Sequence, residues 1–398
     1  MAAIIDVDPN GDLLLQFPGL IQQADNNALD RDSGLDWENL GGPMALEQAG
    51  SECTVDNEPE RDQPPQPQAV NLRVSSSVLR LVSPVFSAML NGPMSEAQAF
   101  RAPNSPRPFP ITLPEDDGVA FAILANVIHH RAEAIPFLPA RAMLVALARL
   151  ADKYACAPAL MPYGVLWLQR ATSRYGKAEF SNSDLDGRCC LLLFAYVLDL
   201  PQQFFEISWD IILKHRQLLK DEIDQGLQLP IHPDHELLRH DLHGELARRK
   251  ARLRRDVHNA IMNPVSRVRG RLNDGVRSPG FVSPSCQSAA LAIGQYMGLL
   301  DYENLCPWRS QYETDSLGAI IHRAFQAAED NRENPMLRFE MCTRSRCACS
   351  SMTYGETIDL PAELEAAIGK AWEWKLGACL DCLKNGGKDR SRCRVEHW

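Results

Sequence analysis

Four residues near the C-terminus have the types and spacing of a metal site. Cys379-x2-Cys382 is followed, after ten intervening residues, by Cys393-x3-His397. Two close pairs of soft donors separated by a turn at Asn385-Gly386-Gly387 suit a tetrahedral Zn2+ ion. A closed four-ligand site leaves no position for a reactive water, so zinc here would stabilise the fold and hydrolyse nothing. The ligand set stays open. Cys342, Cys347 and Cys349 lie upstream and either complete a second site or replace His397, and the plainer alternative is a group of free thiols at a helix end.

Other chemistry is sparse. The chain has no Gly-rich phosphate loop, no G-x-S-x-G elbow and no H-E-x-x-H pair, so it is not expected to be an enzyme. Residues 234–262 read as one long basic amphipathic helix, with Leu238, Leu242, Leu246, Leu253, Val257 and Ile261 on one stripe. Around its middle cluster Arg248, Arg249, Lys250, Arg252, Arg254 and Arg255, which could neutralise phosphates. The stripe explains them more simply, as the solvated side of a helix packed on a core, and nucleic acid is not expected as the main partner. His240, His243 and His258 have no acid partner or ligand spacing, and His129-His130 end a helix where cationic rings suit the dipole.

A chain of 398 residues predicts two or three domains. With 45% hydrophobic and 23% charged residues it is too apolar for wholesale disorder. The longest apolar run, 189–198, is about half of the roughly 20 residues a membrane span needs. Residues 1–12 carry acids and no basic lead-in to an apolar stretch, so no secretory signal is expected and the nucleus or cytoplasm is the expected location. Six of the twelve cysteines fall at or after Cys342, a bias that favours reduced thiols and metal ligation over a disulfide framework. The net charge of −10 is local: residues 18–69 hold eleven acids against Arg31 and Arg61. That segment ends in a Pro/Gln run and is expected to be a disordered loop.

Flanking it are two strand-like pieces, 12–17 and 70–74, which predict a hairpin whose turn has been replaced by the acidic insertion. Ser75-Ser76-Ser77 then caps a short helix carrying Val78, Leu79, Leu81 and Val82, and Ser83-Pro84 opens a second through Leu90. A strand at 109–113 precedes a helix with Phe121, Leu124, Val127 and Ile128 on one face, and 139–154 is a further helix. Helices continue through 166–219. Asn263-Pro264 predicts a break, followed by a linker to about 284, helices at 289–300 and 316–328, and the Cys-rich tail.

The order strand, strand, two short helices, strand, helix, helix, over residues 11–17 and 70–158, resembles a BTB/POZ domain, in particular the divergent fungal members. The carrying blocks are Gly11-Asp12-Leu13-Leu14-Leu15, then Leu72-Arg73-Val74-Ser75-Ser76-Ser77-Val78-Leu79. Ser83-Pro84-Val85-Phe86-Ser87-Ala88-Met89-Leu90, Leu113-Pro114-Glu115-Asp116-Asp117 and Leu150-Ala151-Asp152-Lys153-Tyr154 complete them. The chain departs from many animal members in having Ser75 in place of a His, in the split hairpin, and in lacking the N-terminal extension that some BTB dimers exchange.

The resemblance, which covers about a quarter of the chain, implies a BTB/POZ domain at 1–158; with the helical periodicity and cysteine spacing that follow, the expected fold is α+β, with a mainly helical region at 159–284 and a helical, Cys-rich, zinc-binding segment at 285–398. It also implies an interaction scaffold without catalytic residues, able to form a homodimer. Met94-Ser95-Glu96 is similar to the apolar-x-Glu element by which some BTB adaptors hold a cullin. Met94 would fill a shallow apolar site and Glu96 would accept a charge-assisted hydrogen bond. The expected function is therefore an adaptor for a cullin-type ubiquitin ligase. The alternative is a nuclear regulator that self-associates through BTB and touches nucleic acid through its Arg-rich helix or zinc segment.

Overall fold

Alternation decides the first strands. In Leu13–Phe17 (β2) and Val70–Val74 (β3), Leu13, Leu15, Phe17, Leu72 and Val74 all point into the core, as a two-residue period requires of a half-buried sheet. The computed structural model describes residues 3–18, 69–175, 185–214, 242–274, 286–340, 357–373, 377–387 and 390–396. It pairs β2 with β3 antiparallel, Leu13 opposite Val74 and Phe17 opposite Val70, which is the expected split hairpin. The insertion itself lies outside the described residues. Phe109–Thr112 (β4) lies parallel to β2, and Ala3–Asp6 (β1), which the sequence reading missed, lies parallel to β3, giving the order β1-β3-β2-β4.

The chain divides into two units, 1–162 and 163–398. In the first, α1 (Ser76–Val82) and α2 (Pro84–Asn91) follow the hairpin directly. Helix α1 is capped from a distance: the Ser76 N–H and hydroxyl donate to the two carboxylate oxygens of Asp12, both at 2.7 Å. Burial pushes the Asp12 carboxyl up, but these bonds and nearby Arg107 outweigh it and hold the group below its ordinary range. Ser83 caps α2 by accepting from Phe86 N–H, while Pro84 supplies a pre-set first helical residue. Residues 95–101, to which the sequence assigned no element, form a further helix, α3 (Ser95–Arg101).

Helices α4 (Gly118–Ile128) and α5 (Arg141–Lys153) close this unit over Phe17, Phe86, Phe121 and Tyr154. Buried Asp116 accepts from the Tyr154 hydroxyl and, at 2.7 Å, from Lys153. Gly11 allows β2 to start beside β3, since a Cβ there would sit 2.5 Å from the Val74 carbonyl oxygen.

His129, at the end of α4, is not the cation expected at a helix C-terminus. Its Nε2 accepts the Ser75 N–H at 3.1 Å, so Nδ1 carries the proton and faces the Ala125 carbonyl. Burial lowers its pKa.

The division between units falls at Pro162, within α6 (Ala157–Tyr175). Beyond it, α7 (Leu185–Val197) is apolar on nearly all sides and is buried from Cys189 to Tyr196, with α8 (Pro201–Lys214) folded back against it. Helix α9 (Leu242–Asp274) does not break at Pro264. Val257, Ile261, Val265 and Val268 continue its buried stripe through the proline, and that packing outweighs the lost backbone hydrogen bond. The linker expected after 263 is therefore helix as far as Asp274.

Helices α10 (Gln287–Tyr302), α11 (Ser310–Thr314) and α12 (Leu317–Asp330) follow. A ribbon then forms from β5 (Arg338–Glu340) and β6 (Thr357–Asp359), after which come α13 (Leu360–Glu373), packed along α9, and α14 (Leu380–Asn385). The chain is thus mixed α+β, mostly helical, with a small mixed sheet. No helix of the described residues is long and apolar enough to cross a membrane.

Candidate metal centre

The local geometry at α14 follows from Cys379 acting as its N-cap. The Cys379 side chain accepts the Cys382 N–H, with sulfur and nitrogen 3.4 Å apart, and this folds the -x2- spacer so that both thiols face one side. Gly386 and Gly387, with φ of 63° and 69°, then turn the chain left-handed, and the Gly387 N–H closes on the Cys382 carbonyl at 2.8 Å. This turn brings Cys393 back to the helix start. The sulfurs of Cys382 and Cys393 are 3.5 Å apart, and all three thiol sulfurs lie within 4.8 Å of one another.

That spacing fits a single soft cation. Zn–S bonds of about 2.3 Å in a tetrahedron separate their sulfurs by roughly 3.7 Å, inside the range the three thiols span. Burial pushes Cys379 up, and burial with the neighbouring thiols pushes Cys382 up to about 12, which favours the protonated form of these two thiols when no cation is bound. A bound dication reverses this by stabilising the thiolates. The three cysteines could hold such an ion; the expected fourth ligand, His397, and the alternatives Cys342, Cys347 and Cys349 lie outside the described residues.

Charged groups interleaved with the thiols fix the loop. Arg394 donates its backbone N–H to Asp381 at 2.7 Å and its guanidinium to the same carboxylate at 2.6 and 3.1 Å, tying the Cys393 segment to the start of α14. The other face of that guanidinium binds Asp199, between α7 and α8, and Lys384 joins from α14 at 2.6 Å. Hydrogen bonds from Arg394 and Lys384 hold the Asp199 carboxyl at about 2, and Arg394 likewise keeps Asp381 low.

The entry to the site is fixed as well. Buried Ser208 accepts the Ala378 N–H at 2.7 Å, and Arg249 donates to the Gly377 carbonyl at 2.7 Å. A Cβ on Gly377 would lie 2.3 Å from the Phe205 carbonyl oxygen, so only glycine passes here. Of these supports, Asp381 and Arg394 carry a sequence signal, since each sits inside or beside a cysteine pair. Asp199, Ser208 and Gly377 carry none.

Met94 and Glu96 are placed apart from the thiols, in the first unit. Met94 is the N-cap of α3 with 56% of its surface exposed. Glu96 is exposed in the first turn and accepts from the Ser95 hydroxyl at 3.0 Å. The basic cluster of α9 is not uniformly solvated. Lys250 is wholly buried, Arg249 bonds Glu245 and Gly377, and Arg254 donates to the carbonyls of Glu313 and Asp315, which leaves Arg248, Arg252 and Arg255 exposed. His258 is exposed, whereas His240 and the His243 side chain lie outside the described residues.

Comparison with protein-family models, curated proteins and solved structures finds no match to this chain.

Proposed function

We propose that this protein is a BTB/POZ-type adaptor that brings a client to a cullin-type ubiquitin ligase, with a structural zinc ion in its C-terminal segment. One observation carries the reading. Across some 50 inserted residues, β2 and β3 pair in register, β4 lies parallel beside β2, and Asp12 caps the helix that follows β3. The split hairpin and the two short helices that follow it support the element order on which the resemblance rests. An exposed Met94 and Glu96 at the start of α3 give the scaffold-side contact its apolar group and its acceptor.

The nuclear alternative takes second place because half of the basic cluster on α9 is spent on bonds within the unit or buried. Pull-down of a cullin by the wild-type chain, lost on combining Met94→Ala with Glu96→Ala, is the expected result. Capture unaffected by the double substitution removes the adaptor reading. Retention on DNA or RNA that weakens steeply with salt would favour the alternative.

A further inference from the structure

The three thiols at α14 are not equivalent. Cys379 is buried, whereas Cys382 and Cys393 are each partly open to solvent. Cys379 is also engaged as the cap of α14, its sulfur accepting the Cys382 N–H at 3.4 Å. The other two sulfurs face each other at 3.5 Å, in thiol-to-thiol hydrogen-bond contact. One pair is therefore accessible and mutually directed, while the third sulfur is shielded and held by the backbone.

A disulfide holds its sulfurs about 2.05 Å apart, so this pair has to close by only about 1.5 Å from its 3.5 Å separation. The chain between the two cysteines turns through Gly386 and Gly387, and no atom lies within 4 Å of where a Cβ would stand on either. Beyond Cys393, the Arg394 backbone N–H and guanidinium are fastened to Asp381, the residue before Cys382. That clamp uses no sulfur, so it keeps the pair side by side whether or not a cation is bound.

We infer that Cys382 and Cys393 are a peroxide-sensitive dithiol, which closes to a disulfide and releases the cation that the three thiols hold when reduced. One sulfur of the pair attacks a peroxide oxygen: an S–O bond forms, the O–O bond breaks, and the departing hydroxide leaves as water with the thiol proton. The second sulfur then attacks the first: the S–S bond forms, the S–O bond breaks, and the second thiol proton leaves in a second water. Two thiols are oxidised and one peroxide is reduced. With two of its thiolate donors gone, the cation is no longer held. In a reducing compartment such a bridge is transient and reports oxidant. The inference rests on the zinc reading for the released ion alone, since closure of the bridge needs only the thiols.

The test adds hydrogen peroxide to the reduced, full-length chain and reads each cysteine by alkylation and fragment-ion sequencing, with a zinc-sensitive dye in solution. Cys382 and Cys393 are expected to leave the alkylated pool together and to appear joined to each other. Cys379 should remain open to alkylation once the chain is denatured, and zinc should appear in step with the bridge. Dithiothreitol should restore both thiols. Cys379→Ser, which removes a ligand but neither partner, should still form the bridge. Chelation should lower the thermal midpoint of the reduced chain and leave that of the oxidised chain unchanged.

A bridge from Cys382 to Cys379 or to an upstream cysteine overturns the inference. So does peroxide that leaves Cys382 and Cys393 as thiols, or that releases zinc without joining them. If the reduced chain carries no zinc and the bridge still forms, the zinc reading fails and the dithiol stands. Bound zinc with no bridge gives the reverse.

Discussion

Arg394 and Asp199, 195 residues apart, form a two-pronged ion pair at 2.7 and 3.0 Å. The pair joins the residue after a candidate zinc ligand to the left-handed corner between α7 and α8, where Asp199 has φ of 56°. Because Arg394 also grips Asp381, a single guanidinium fastens both cysteine segments to the helical core.

Asp199→Asn keeps a side chain that tolerates the left-handed corner, so it isolates the charge. It should cost about 1 kcal/mol, a figure already reduced for the partial exposure of Asp199, and less at high salt. The pH dependence has a definite sign. A carboxyl held at about 2 stabilises the fold fully above its ordinary value near 4 and loses that contribution as the pH falls toward 2. Urea midpoints of wild type and Asp199→Asn should therefore converge between pH 5 and pH 2, and a constant gap would show that Asp199 acts otherwise.

For the thiol cluster, elemental analysis of reduced, freshly purified chain should find roughly one zinc per molecule. Replacing Cys379 and Cys382 by serine should remove it, and chelation should lower the thermal midpoint of the wild type but not of the double variant. Reduced protein free of metal would contradict the assignment.

The lead-in to the cluster is held by backbone contacts. Gly377→Ala should cost about 2 kcal/mol or more, because the new methyl meets a carbonyl oxygen that cannot move aside. Ser208→Ala, which leaves the buried Ala378 N–H without its acceptor, should cost about 1–3 kcal/mol. Denaturant melts with unchanged midpoints would refute the claim that this segment is anchored to α8.

Much of this was legible because the relevant signals are local. Short strand-like runs at 12–17 and 70–74, each bounded by turn or polar residues, betrayed the hairpin despite the insertion, and Cys379-x2-Cys382 announced itself by spacing. Strand β1 escaped because Ile4 and Ile5 are both exposed, so no alternation marks it. Helix α13 had a readable stripe in Leu360, Leu364 and Ile368 that the neighbouring cysteines overshadowed. At Pro264 a local rule lost to tertiary packing, and at His129 a surface expectation lost to burial. The Asp199–Arg394 pair could not have been read at all, since nothing in either segment refers to the other.

His129 should make the first unit sensitive to acid. As the acceptor for Ser75 N–H it must be neutral, and burial keeps its folded pKa below the ordinary 6.5. The unfolded chain then binds a proton more readily, so this contribution is complete above pH 6.5 and is lost as the pH falls from there through the folded value. Stability measured at pH 7.5 and 5.5 should drop for wild type by more than for His129→Gln, which cannot titrate. Equal drops would assign the sensitivity to other groups.

The split hairpin permits a direct test of the fold. Phe17 stands opposite Val70, so the two strand ends are already as close as an ordinary two-residue turn would hold them. Nothing in the register therefore needs residues 18–69, and their contribution to stability should be the closure entropy of a long loop. Replacing them by Asn-Gly shortens the loop about 26-fold, and logarithmic scaling gives a gain of about 2–3 kcal/mol. The shortened chain should unfold at a higher denaturant concentration with an unchanged slope and keep the same cullin capture and zinc content. A chain that fails to fold, or one that folds with lower stability, would mean that β2 and β3 do not pair as neighbours in this register, and the domain assignment would fall with them.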